Sequence, residues 1–146
     1  MTRLIALLLS LPIYAAAAAA AAAEPYCKRL PFDAETPPGL TGEYEIVGKD
    51  APTGRAYAGT LQIALHEHVY VLTRTVQGQS LRGEAWAESC SPDKFLRLVA
   101  RYEATPKPIE LSCYLRFDGD NYTRASCTSA DGRGLEAWFQ SHESAP

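Results

Sequence analysis

Residues 56–65 read AYAGTLQIAL and residues 69–76 read VYVLTRTV, with His66-Glu67-His68 between them. In the first segment Tyr57, Gly59, Leu61, Ile63 and Leu65 fall on one side of a period-two repeat, and in the second Tyr70 and Leu72 do the same. Side chains of an extended chain point alternately to opposite faces, so this pattern describes two half-buried strands. The short polar connection between them predicts an antiparallel hairpin.

The same texture continues on both sides. Upstream, residues 42–48 place Tyr44 and Ile46 together. Downstream, strands are expected over 80–88, 95–103, 109–117, 122–128 and 135–140. Turn chemistry separates them at residues 48–54, 77–79, 89–93, 105–108, 118–121 and 129–133. Eight strands with short connections favour neighbours in space, hence an up-and-down meander. Closing that meander removes both edges of the sheet. The expected fold is therefore all-β, an eight-stranded antiparallel up-and-down barrel, with a two-sheet sandwich as the alternative. Gly59, Gly83 and Ala85 supply the small residues that tight curvature uses.

The N-terminal end has a different composition. Arg3, the apolar stretch Leu4 to Leu11 and the alanine run Ala15 to Ala23 have the layout of a secretory signal, with Ala21-x-Ala23 as the last cleavable register. An uncleaved membrane anchor competes with that reading, but alanine is a weak membrane residue. Residues 1–23 are read as a signal peptide, 24–40 as a proline-rich extended leader, and 41–146 as a single barrel domain. Cleavage removes Arg3 from the 14 basic residues and none of the 17 acidic ones, so a net charge of −3 becomes −4. That balance gives no electrostatic reason to expect nucleic acid or an anionic membrane as partner.

Four cysteines all follow residue 23, and an even number in an exported domain reads as two disulfides. Three pairings are possible in principle. Cys113 and Cys127 flank Asp118-Gly119-Asp120-Asn121 symmetrically, so hairpin pairing sets them opposite each other, which leaves Cys27 for Cys90. No two cysteines have the short spacing of a zinc site, and no metal or cofactor is expected.

The cadence Gly42-x-Tyr44-x-x-x-Gly48, Tyr57-x-Gly59-x-Leu61-x-Ile63, Tyr70-x-Leu72 and Leu81-x-Gly83 resembles that of a group of small exported bacterial β-barrels, lipocalin-like in form. Some members are labelled fibronectin-binding. The likeness covers about a third of the chain after residue 23 and ends near Gly83; Arg74 stands where the cadence has tryptophan. It implies the fold and a periplasmic or secreted location more than an activity.

Candidate functional residues follow from the faces. Arg74 shares its face with Tyr70 and Leu72 and would point into the barrel, where a charge needs a partner. An anionic ligand at the barrel mouth would supply one, with Tyr44, Tyr57 and Tyr70 adding hydroxyls; the competing reading is that Arg74 reaches water at the strand end. His66 and His68, with His142 more distant, could bind a metal, but a polar turn explains them better. Trp86 and Trp138 alternate onto the polar faces of their strands, Trp138 beside Glu136, as partner anchors or as surface under the leader. Asn121-Tyr122-Thr123 is read as turn chemistry. No Gly-x-Ser-x-Gly elbow or phosphate-cradling glycine loop is present, so catalysis is not expected. The resulting expectation is an exported, non-catalytic binding module for a small ligand or another protein. Its alternative is an inhibitor or envelope-stress factor that blocks a hydrolase through the loop at 48–55.

Overall fold

A computed structural model describes residues 26–32, 39–91, 95–117 and 123–141. The expected signal segment, the turn at 118–121, Asn121 and Tyr122, and His142 lie outside these residues. Nine strands run in chain order: β1 (Cys27–Arg29), β2 (Gly42–Lys49), β3 (Ala56–His66), β4 (Val69–Val76), β5 (Gln79–Cys90), β6 (Phe95–Tyr102), β7 (Ile109–Phe117), β8 (Thr123–Ser129) and β9 (Leu135–Gln140).

Strands β2 to β9 pair in sequence order, each antiparallel to the next. Pairing of β2 with β9, from Tyr44↔Gln140 to Lys49↔Leu135, closes the ring. The fold is thus a closed eight-stranded up-and-down barrel, and the sandwich alternative does not apply. Alternation decides which side chains enter it. Tyr44 and Ile46, Leu61 and Ile63, Tyr70 and Leu72, and Leu98, Ala100 and Tyr102 all lie at 5% exposure or less. Trp138, Tyr44 and Tyr102 are the largest fully buried residues, and with Leu40, Ile46, Leu61, Leu72 and Leu98 they fill the interior.

Glycines let neighbouring strands approach closely. A β-carbon on Gly83 would overlap the Arg101 carbonyl oxygen of the neighbouring strand, so only glycine allows β5 and β6 to approach that closely. At the β4–β5 turn Gln77 and Gly78 both take positive φ (53° and 76°), the type I′ geometry that matches strand twist.

The ninth strand comes from the leader. β4 borders β5 along residues 79–85, and β1 takes over beyond it, pairing Cys27↔Cys90, Lys28↔Ser89 and Arg29↔Glu88. Cys90, expected in a loop, is therefore the end of a longer β5. Both disulfides have the expected partners, Cys27–Cys90 and Cys113–Cys127, with Cα–Cα separations of 4.0 Å and 3.9 Å. Two such bridges fit an oxidising compartment.

Trp138 and Glu136 correct one expectation. They share a face, but it is the inner one, with exposures of 1% and 2%. The run LEAWFQ carries apolar residues on both faces, so alternation alone does not say which faces the core. Pairing decides it, because Trp138 lies opposite inward-facing Ile46 on one side and Ala125 on the other.

Candidate functional site

The two ends of the barrel are built differently. At the end carrying the β2–β3, β4–β5, β6–β7 and β8–β9 connections, Glu136 projects inward from the start of β9. Its Oε2 accepts from the Tyr57 hydroxyl (2.7 Å) and from Arg74 Nε and Nη2 (both 2.8 Å). Its Oε1 accepts from Trp138 Nε1 at 2.7 Å. A carboxylate removed from water is tolerable only when paired and hydrogen-bonded, and here four donors meet it. The Arg74 guanidinium lies over the Tyr57 ring at 4.9 Å and reaches the Tyr102 ring at 5.8 Å. Gly48 makes room for this arrangement, since a β-carbon there would overlap the Tyr57 ring.

Proton affinities follow from these contacts. Burial first, then the Glu136 carboxylate, pushes the Tyr57 hydroxyl up to about 12. Burial alone would lower the Arg74 guanidinium, but the Glu136 charge, the hydrogen bond to it and the neighbouring Tyr57 together more than offset burial and hold it above its ordinary value. Burial raises Tyr102 well above the usual range, and its hydroxyl has no hydrogen-bond partner among the described residues.

The expected ligand residues divide between the ends. Arg74 and Tyr57 meet at Glu136. Tyr44 and Tyr70 belong to the opposite end, where Tyr44 donates to the Leu40 carbonyl at 2.8 Å and Phe32 packs on Tyr70 at 5.8 Å. Burial pushes Tyr44 up to about 12 and raises Tyr70 as well. Glu136 was missed because its strand was read with the wrong face inward. The signal that could have found it was Arg74, an inward cation that demands an acid.

Above the Glu136 cluster stand two ordered loops. In the β2–β3 loop Asp50 Oδ1 accepts from Thr53 N (2.7 Å) and Thr53 Oγ1 (2.8 Å), and Asp50 N donates to the Arg55 carbonyl at 3.0 Å. These bonds to Thr53 lower the Asp50 carboxyl below its usual value. In the β8–β9 turn Gly134 N donates to Ser129 Oγ at 2.7 Å, and Asp131 receives Ser129 Oγ, Arg133 N and the Arg133 guanidinium. Asp131 is held down at about 2, first by the Ser129 hydroxyl and then by the Arg133 amide. Ala51 stands beside the second loop, close enough that a β-carbon on Gly134 would come within 3.4 Å of its methyl group. Tyr57 follows the first loop by two residues and Glu136 follows the second by two, so their hydrogen bond ties the two bases together. Exposed Pro52, Thr53, Arg55 and Arg133 form the rim.

Other candidates have local roles. His66 is exposed at the end of β3, and His68 packs on Phe32 at 5.8 Å. Trp86 lies outside the barrel under the leader: Arg29 covers its ring at 4.7 Å and its Nε1 donates to Glu88. Among the described residues the group with metal-ligand spacing is Cys27, Glu88 and Cys90, but its two sulfurs are bonded to each other.

No protein-family model and no curated protein matches this chain. Among solved structures it is similar to a de novo designed fluorescence-activating β-barrel, with 17% identity, a TM-score of 0.46, and coverage of 69% of this chain and 92% of that one.

Proposed function

We propose that this is an exported, non-catalytic binding module of the periplasm or the extracellular space that contacts another protein through the rim formed by residues 50–55 and 129–134. The observation that carries this reading is the filled interior. Trp138, Tyr44, Tyr102 and Leu40 occupy the space a small ligand would need, and Glu136 already engages Arg74. The rim, by contrast, is exposed and held by its own hydrogen bonds. A loop already fixed in shape loses little conformational freedom on binding, which is the requirement for tight contact through few residues. Blocking a hydrolase is one form such contact can take. The signal-like residues 1–23, the two disulfides and the likeness to small exported bacterial barrels support the location.

A photo-reactive amino acid at Thr53, introduced in the exporting cell, tests the reading. One discrete protein adduct is expected, and Arg55→Glu should reduce it. The reading fails if no adduct forms and the purified protein instead carries a stoichiometric small molecule that Arg74→Met releases. That result would restore the barrel mouth as the site.

A further inference from the structure

The outside of the barrel has a face that the rim does not use. Register places three outward rungs side by side across β3, β2, β9, β8 and β7. The central rung is Ala58, Val47, Ala137, Ser126 and Tyr114. On β9, Phe139 lies on the rung above and Leu135 on the rung below. Val47, Leu135, Phe139 and Tyr114 are 48%, 52%, 42% and 54% exposed, so about half of each large apolar side chain meets water. Between Val47, Leu135 and Tyr114 is an open groove of about 820 Å³ floored by Ala58, Ala137 and Ser126. Contiguous apolar surface of this kind marks an interaction face.

We infer that a second copy of this chain packs on this face, about a two-fold axis parallel to β9. Such an axis exchanges β2 with β8 and β3 with β7, so each residue meets the one at the mirrored position on its rung. Val47 then falls on the smaller Ser126 of the partner copy, and on the axis Phe139 and Leu135 meet their own copies, while Tyr114, two strands away, stacks on Phe95 at 6.1 Å. Charge also falls on opposite charge, because Glu45 and Arg124 flank Phe139 and would face each other twice across the interface. Lys49 meets a hydroxyl, Thr128, and no like charges oppose. A surface complementary to itself under rotation is the signature of an isologous dimer, whereas an unrelated partner requires no such relation between β2 and β8. The axis runs β9 in the same direction in both copies, so both rims lie toward the end where β9 begins, with the two barrel axes splayed by about twice the strand tilt. If the proposed function holds, the dimer sets two rims on one side and gains avidity for a repeated or surface-bound target.

Sedimentation velocity on the exported, fully oxidised protein across a concentration series reads the dimer without reference to any partner. A reversible dimer is expected. Val47→Asp should weaken it at least a hundredfold with unchanged circular dichroism, since this residue is exposed in the monomer. Glu45→Lys should weaken it about tenfold, and adding Arg124→Glu should restore most of the loss. A monomer at all concentrations overturns the inference, as does a dimer indifferent to Val47→Asp or a double swap that fails to rescue. An adduct from Thr53 in a monomeric protein would leave the proposed function standing while the dimer falls.

Discussion

One end of this barrel is closed by charge and the other by an apolar plug borrowed from the leader. At the charged end, Glu136 gathers donors from three strands, β3, β4 and β9, each of which belongs to the barrel itself. At the other end Leu40, 1% exposed, and Phe32 cover Tyr44 and Tyr70, and β1 ties this segment to β5 through Cys27–Cys90. The contrast teaches that closure by buried charge is specific and unforgiving, because every member must be satisfied. Closure by apolar side chains is more tolerant, because a plug can shift and still exclude water. A rim that must hold its shape is better founded on the first kind.

Mutation can break this comparison. Glu136→Ala leaves the Arg74 charge and the Tyr57 and Trp138 donors without their acceptor. Removing one member of a buried pair costs about 3–5 kcal/mol, and that loss is expected in denaturant unfolding of the oxidised protein. Leu40→Ala at the plugged end should cost less, about 2–3 kcal/mol, since the leader can settle into part of the space. If Leu40→Ala proves the more costly, the two ends do not differ as argued. Gly48→Ala sharpens the point with a smaller change. The added methyl group collides with the Tyr57 ring and should cost about 1–3 kcal/mol. Its more informative readout is the rim, where faster amide exchange is expected at Thr53 and Gly54 while Leu30 and Ser141, whose amides donate to the Ala87 and Glu43 carbonyls at the plugged end, exchange as before.

Much of this architecture was legible in the residues, and the part that was not has a physical cause. Strands with one apolar face, such as 56–66 and 109–117, declare their orientation because only one register buries them. Cys113 and Cys127 could be paired because a hairpin fixes which residues oppose. The run LEAWFQ offered two apolar faces, so Glu136 was placed in water, and with it went the partner Arg74 needs. Tyr44 and Tyr70 were grouped with Arg74 because they share an inner face. Alternation gives the face but not the depth along the barrel, and depth puts them at the opposite end. The leader's role was hidden for a related reason: β1 has three residues and no periodicity, and its place follows from a gap beside β5 that exists only once β4 is aligned.

Alkaline titration separates the two ends with no effect at neutral pH. Tyr57 at the charged end and Tyr44 at the plugged end are both pushed up to about 12, above an unfolded value near 10. A raised tyrosine holds its proton more tightly in the folded state. Its contribution to stability is therefore complete below pH of about 10 and is lost as pH climbs through the folded value. The causes differ. Burial accounts for most of the rise in both, but at Tyr57 the Glu136 carboxylate adds to it, whereas Tyr44 has no carboxylate among its causes. Glu136→Gln keeps the shape and removes the negative charge, leaving Arg74 to favour tyrosinate. In that variant Tyr57 should ionise at lower pH while Tyr44 is unmoved, as followed by tyrosinate absorbance with Tyr57→Phe and Tyr44→Phe to assign the steps. Equal movement of both, or of neither, would mean that Glu136 does not set the electrostatics of its end.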